Sequence, residues 1–165
     1  MKTPVAEALS MTSPVRVVGE RDRYAEIAGA GWVFAAHLAP AGEPAQDHVA
    51  TARRFLGLPY RWGGKSSVGL DCSALVQMAL HRAGHECPRD SDMQAEFVGQ
   101  LLDDDAEIER GDLLYFPGHV AIALDGERVV HATAHSMDVC EEPIAAVVER
   151  SIAESGKGLI ALRRV

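Results

Sequence analysis

Three residues carry side chains suited to nucleophilic catalysis: Cys72, His119 and His131. A thiol attacks well only as a thiolate, and a helix N-terminus or a nearby imidazolium lowers its pKa. The nucleophile also needs a histidine base within hydrogen-bond reach, and that histidine needs a third group to orient it. Cys72 follows a glycine-rich stretch, residues 60–70 (YRWGGKSSVGL), and Asp71 is placed to cap a helix beginning at Cys72. A loop followed by a helix start leaves the sulfur approachable and supplies backbone N–H groups that can hold an oxyanion. Judged from its helix alone, Cys72 is a small buried hydrophobe. The two histidines change the balance, because each sits in an otherwise apolar strand.

The elements that must position these residues follow from periodicity. Asp47 is an N-cap for a helix over about His48 to Leu56, with Val49, Ala52, Phe55 and Leu56 as its buried stripe. The second helix runs from Cys72 to about Ala83. Leu75, Val76, Ala79, Leu80 and Ala83 recur on one face, and Gly84 is its stop. Residues 91–101 hold a further short helix. Strands are expected over residues 112–116, 119–124 and 128–132, a helix over about 143–154 and a closing strand over 159–165. Helices followed by an antiparallel meander make an α+β fold.

The hairpin joining the two histidine strands gives a test of parity. A two-residue turn at Asp125-Gly126 sets His119 opposite Ala132 and sends His131 to the other face. A three-residue loop, Leu124-Asp125-Gly126 with Gly126 left-handed, pairs Ala123 with Glu127 and sets His119 opposite His131. Joint action of the histidines requires a loop of that parity.

The rest of the chain limits the function classes. A formal net charge of −8 argues against a nucleic-acid partner and against docking on an anionic membrane. No stretch is long and apolar enough to span a bilayer. Met1 to Ser13 lacks the apolar run of a leader and contains Pro4 and Glu7, so the expected location is the cytoplasm. Three cysteines without regular spacing do not form a disulfide framework. Residues 15–18, 24–27 and 31–34 are short β-prone runs, too little for a barrel with its own core. Residues 41–46 read as a linker, and 47–165 as the catalytic domain.

With these residues in view, the chain resembles the NlpC-type cell-wall cysteine peptidases. Asp71-Cys-Ser-Ala-Leu-Val76 is similar to that family's nucleophile motif, with Ala74 where the family usually has glycine. Pro59-Tyr-Arg-Trp-Gly-Gly64 resembles the loop before it. Gly111-Asp-Leu-Leu-Tyr-Phe116 with His119-Val-Ala-Ile122, Val130-His-Ala-Thr133, and Pro88-Arg-Asp-Ser91 with Gln94 resemble further family segments in the same order. The resemblance implies a papain-like, metal-free fold with no cofactor. The implied activity is hydrolysis of peptidoglycan stem peptides between D-γ-glutamate and a diamino acid such as meso-diaminopimelate. It implies Cys72 as nucleophile, His119 as general base and acid, and His131 as the orienting residue. Tyr60 is implied beside the thiol, and Asp71, Ser73 and Ser91 as holders of the substrate's peptide end. In relatives restricted to a free L-alanine N-terminus, the matching aspartate pairs with the ammonium. Residues 31–38 resemble the end of a bacterial SH3-like domain, so residues 1–40 are expected to form a truncated SH3-like segment.

Other candidates have plainer readings. His81, His85 and Cys87 have metal-ligand residue types, but Gly84 ends the helix between the histidines and no fourth ligand is evident. Asp103-Asp-Asp105 is an exposed turn, too short a pattern for calcium. Cys87 and Cys140 are packing or partly exposed thiols, His135 is a loop residue, and Trp32 and Trp62 are structural, with Trp62 near the cleft. Two other functions are alternatives: an amidase or acyltransferase built on the same Cys–His apparatus, and a non-catalytic murein-peptide-binding module built on the SH3-like segment, against which the intact Cys72, His119 and His131 set weighs.

Overall fold

Residues 8–165 are described by a computed structural model. The start of the Met1–Ser13 stretch considered above as a leader lies outside them. They divide into two compact units, one ending at Pro44 and one running from Ala45 to Val165.

The first unit is an antiparallel meander of β1 (Val17–Arg21), β2 (Tyr24–Ile27) and β3 (Gly31–Phe34), followed by a 3-10 turn at Ala35–His37. Tyr24 lies opposite Phe34 and meets it edge-on at 6.0 Å. The Arg21 guanidinium sits 4.9 Å over the Trp32 ring. Such cross-strand pairs stabilise a small sheet by tenths of a kcal/mol each.

The second unit begins with α1 (His48–Arg53), where the Asp47 carboxylate accepts from the Ala50 amide at 2.9 Å. A small ribbon, β4 (Lys65–Ser66) and β5 (Gly69–Leu70), leads into α2 (Cys72–Arg82). The Asp71 side chain caps α2 by accepting from Ala74 N at 2.9 Å. Gly84, at φ +86°, ends it: the His85 amide turns back to the Leu80 carbonyl at 3.0 Å. Then follow α3 (Ser91–Phe97), β6 (Gln100–Leu101), β7 (Leu113–Phe116), β8 (His119–Ala123), β9 (Arg128–Thr133), β10 (Asp138–Pro143), α4 (Ile144–Ser155) and β11 (Ala161–Arg164). Six strands form one antiparallel sheet in the order β10-β9-β8-β7-β11-β6. This is the α+β class expected.

Both faces of the sheet are covered. Leu114, Phe116, Ala121, Ala123, Val129 and Leu162 pack with Val147 of α4. On the other side lies α2, buried at every position from Cys72 to Leu80. A helix buried all round must be apolar all round, which is why its stripe is broad. β7 is accordingly buried at all four residues and shows no alternation.

The hairpin between β8 and β9 keeps the expected parity but not the expected register. Ile122 pairs with Val130 and Ala123 with Val129, and the Leu124 amide donates to the Arg128 carbonyl. The loop is Asp125-Gly126-Glu127, one residue later than expected, and Gly126 is not left-handed. The reason is an Asx turn: Asp125 Oδ1 accepts from the Glu127 and Arg128 amides at 2.8 Å each. A register shift of two residues leaves every side chain on its face.

The loop before α2 is held by close backbone packing. A Cβ on Gly64 would lie 2.6 Å from the Gly69 carbonyl oxygen. Gly64→Ala is expected to lower the unfolding free energy in urea by about 1–3 kcal/mol. Gly42→Ala, where a Cβ meets open space, is expected to leave it within about 0.5 kcal/mol.

Candidate active site

Asp71 takes the Ala74 N–H, and its carbonyl takes the Leu75 N–H. The first two amides of α2, those of Cys72 and Ser73, are left facing the Cys72 sulfur, and the Val120 amide approaches it from β8. The nucleophile candidate therefore stands beside the start of the strand whose first residue is His119. Backbone N–H groups near the sulfur are the kind of donor that can hold an oxyanion.

His119 and His131 come together as diagonal neighbours on one face of the sheet. His119 Nε2 lies 2.8 Å from His131 Nδ1. His131 is completely buried. Its other nitrogen, Nε2, lies 2.7 Å from Glu142 Oε1, close but not aligned for a linear hydrogen bond. Arg150 of α4 grips the same carboxylate, through Nη1 at 3.3 Å and through Nη2.

The electrostatics differ from the sequence expectation. Burial pushes the Cys72 thiol up, outweighing the nearby amides, so it is not lowered by its place at the helix start. The thiol is also less approachable than a loop–helix junction suggests, with Cys72 only 7% exposed. Burial, with His131 and Arg150 nearby, takes His119 down to about 3. Burial likewise lowers His131, against the pull of Glu142. Burial thus pushes the thiol and both imidazoles toward their neutral forms.

Asp71 does more than cap. Burial opposes its charge, but hydrogen bonds from Arg89 and Ala74 outweigh this and hold its pKa below the usual range. Oδ1 accepts from Ala74 N, Ser73 Oγ and Arg89 Nη1, and Oδ2 from Gly63 N and Arg89 Nη2. Five donors exhaust a carboxylate's lone pairs. Asp71 lines the cleft, but its carboxylate is already neutralised by Arg89.

The cleft has a volume of about 580 Å³. Tyr60, Trp62, Cys72, Ser73, Asp90 and Ser91 are among its walls. Burial raises the Tyr60 phenol, with Cys72 and Asp71 contributing. Trp62 is 83% exposed and forms a rim, not a core contact. Ser73 is buried, while Asp90 is exposed. Gln94, completely buried, donates to the Ser73 and Pro88 carbonyls and so ties α3 to the start of α2.

His81, His85 and Cys87 line a separate hollow, but their ligand atoms do not converge. His81 Nε2 lies 3.3 Å from the Cys87 carbonyl, and burial raises the Cys87 thiol to about 12. Among the described residues, His131, Cys140 and Glu142 bring three donor atoms within 4.8 Å of one another. The Arg150 guanidinium already occupies the cationic place beside that carboxylate. Glu142 and Arg150 are the site residues that sequence reading misses. β10 went unrecognised because its residues, Asp-Val-Cys-Glu-Glu-Pro, are poor strand formers.

Comparison with known proteins agrees with this geometry. The chain is 42% identical over 94 residues to dipeptidyl-peptidase 6 of Lysinibacillus sphaericus, a match covering 57% of this chain and 34% of that protein. It is 36% identical over 106 residues to the gamma-D-glutamyl-L-lysine dipeptidyl-peptidase of Bacillus subtilis, covering 58% and 35%. The chain thus spans about a third of the length of these curated relatives. Among solved structures, an NlpC/P60 family protein of Bacillus cereus superposes with a TM-score of 0.74 at 24% identity, over 94% of this chain and 54% of the other. The peptidoglycan hydrolase RipB of Mycobacterium tuberculosis gives 0.57 at 27% identity, over 71% and 62%. The NlpC/P60 family profile matches residues 57–152, more than half of the 165 residues and spanning Cys72, His119 and His131, and the chain belongs to the NlpC/P60 family.

Proposed function

We propose that the protein is a cysteine peptidase acting on murein stem peptides at the bond between D-γ-glutamate and the diamino acid. The observation that carries this reading is Cys72 at the capped start of α2 with the Val120 amide beside its sulfur, Val120 being next in the chain to His119, whose Nε2 lies 2.8 Å from Nδ1 of the fully buried His131. Relatives named as gamma-D-glutamyl-L-lysine dipeptidyl-peptidases support the class of bond.

In this reading His119 takes the Cys72 proton as the sulfur attacks the carbonyl carbon. The oxyanion is held by the amides around the sulfur, the amine leaves with that proton, and water hydrolyses the thioester. Because burial favours the neutral thiol and imidazole, proton transfer accompanies attack. His131 holds the ring of His119.

A substrate ammonium buried in the cleft must be paired. Asp71 is held by Arg89, so this role passes to Asp90, the exposed carboxylate on the same wall. Ser73, Ser91 and Tyr60 line the peptide's path. Ser73, Asp90 and Ser91 offer a peptide hydrogen-bonding groups that a long apolar acyl chain would leave unused.

The test is to incubate the protein with L-Ala-γ-D-Glu-meso-diaminopimelate, its lysine counterpart and the N-acetylated forms. Cleavage of a free-amine peptide is expected, with no turnover by Cys72→Ala. Turnover surviving in that variant overturns the mechanism, and binding without turnover by the parent protein favours a non-catalytic module. Asp90→Asn is expected to raise KM for the free-amine peptide roughly tenfold, equivalent to about 1.4 kcal/mol, while leaving its melting temperature near that of the parent.

A further inference from the structure

The histidine pair does not end at His131. β10 brings Glu142 to its buried nitrogen, and α4 brings Arg150 to Glu142. The contact is off line for a hydrogen bond, but a carboxylate oxygen 2.7 Å away repels a bare ring nitrogen and attracts an N–H, so its charge favours the proton on Nε2. His131 then carries its proton on Nε2, and in the neutral ring Nδ1 is bare. That bare nitrogen accepts from His119 Nε2 at 2.8 Å. His119 therefore carries its own proton on Nε2 and keeps Nδ1 free as a proton acceptor. We propose that Glu142, held by Arg150, is a positioning residue that sets the tautomers of both histidines and thereby makes His119 a base. The inference rests on the peptidase reading for its catalytic meaning, but the tautomers themselves do not depend on it.

Arg150 has its own part. A carboxylate facing His131 with its full charge would draw a proton onto the ring. The imidazolium would then present Nδ1–H to the Nε2–H of His119, two donors face to face. The guanidinium offsets the charge and keeps His131 neutral. Burial favours the same state. The charged and titratable groups around the relay are His119 on β8, His131 on β9, Asp138, Cys140 and Glu142 on β10, and Arg150 on α4.

Two substitutions separate this role from simple packing. Glu142→Leu removes the acceptor, so the relay can reverse and place a proton on His119 Nδ1. Its kcat is expected to fall at least about tenfold with KM little changed, and Glu142→Gln, whose amide oxygen still accepts, is expected to recover part of it. Loss of the negative charge in Glu142→Gln moves the acid limb of kcat/KM to lower pH. Loss of the positive charge in Arg150→Met moves it to higher pH. A purely structural pair would not give opposite shifts.

Ring-nitrogen NMR on the 15N-histidine-labelled protein reads the tautomers without substrate. Both histidines are expected as the Nε2–H form in the parent, with His119 moving toward Nδ1–H in Glu142→Leu. Persistence of the Nε2–H form in that variant, or acid limbs shifting in the same direction, overturns the proposal. If the parent cleaves none of the peptides, the peptidase reading fails while the NMR result still decides the tautomer assignment.

Discussion

The Asp71 carboxylate accepts from donors on three separate stretches of chain. Gly63 belongs to the loop, Ser73 and Ala74 to the start of α2, and Arg89 to the segment entering α3. A helix N-terminus leaves amides unsatisfied, and a cap removes one of them at a benefit of about 1 kcal/mol. Here the same side chain also fixes where the loop crosses the helix start and where Arg89 lies. Because Arg89 neutralises it, the carboxylate can sit mostly buried next to the sulfur without placing an unpaired charge there. The walls of the cleft around Cys72 depend on that one group.

The sheet answers a different demand. Covering both of its faces removes water from His131, and a dry imidazole is disfavoured as a cation. His119 and His131 are not distributed along the strands at random: the even register shift of the hairpin leaves them on the same face. β10 is the end strand of the six-stranded sheet. Its outer side is in turn met by the Gly57–Tyr60 segment, through Gly57 N to Val139 O, Val139 N to Leu58 O and Tyr60 N to Met137 O, each 2.9 Å. That contact holds Tyr60 at the cleft while its partner strand holds Glu142 behind the histidines.

Much of this was legible in the sequence, for identifiable reasons. α2 shows because its apolar residues and the flanking Asp71 and Gly84 are strong local signals. β7 to β9 show because they are long apolar runs. β2 and β3 match the residues expected for them. The hairpin loop was misplaced by one residue because a side chain, Asp125 Oδ1, set the turn in place of a left-handed Gly126. β10 and the part that Arg89 plays were not legible, since both depend on partners distant in the chain. Nothing local in Glu142 or Arg89 distinguishes a residue that locks a site from a charge on a solvated face. The thiol's pKa direction was misjudged for the same reason: a helix start argues for lowering it, but burial, a property of the assembled fold, outweighs the amides.

The charges around Cys72 and His119 then share one design. Two carboxylates near Cys72 and the histidines each have a guanidinium of their own: Arg89 on Asp71, Arg150 on Glu142. Burial pushes Cys72 and the two histidines toward their neutral forms. A thiolate at Cys72, only 7% exposed, would be a charge held largely away from water. On the proposed mechanism, charge would develop during attack, on the oxyanion near the amides of Cys72, Ser73 and Val120 and on His119 beside the His131–Glu142 chain. Because those dipoles are oriented before the reaction begins, they need not reorganise when the charge develops. On that mechanism, the cost of forming charge at a buried thiol would be offset by dipoles already in place, and the two arginines would keep Asp71 and Glu142 from opposing it.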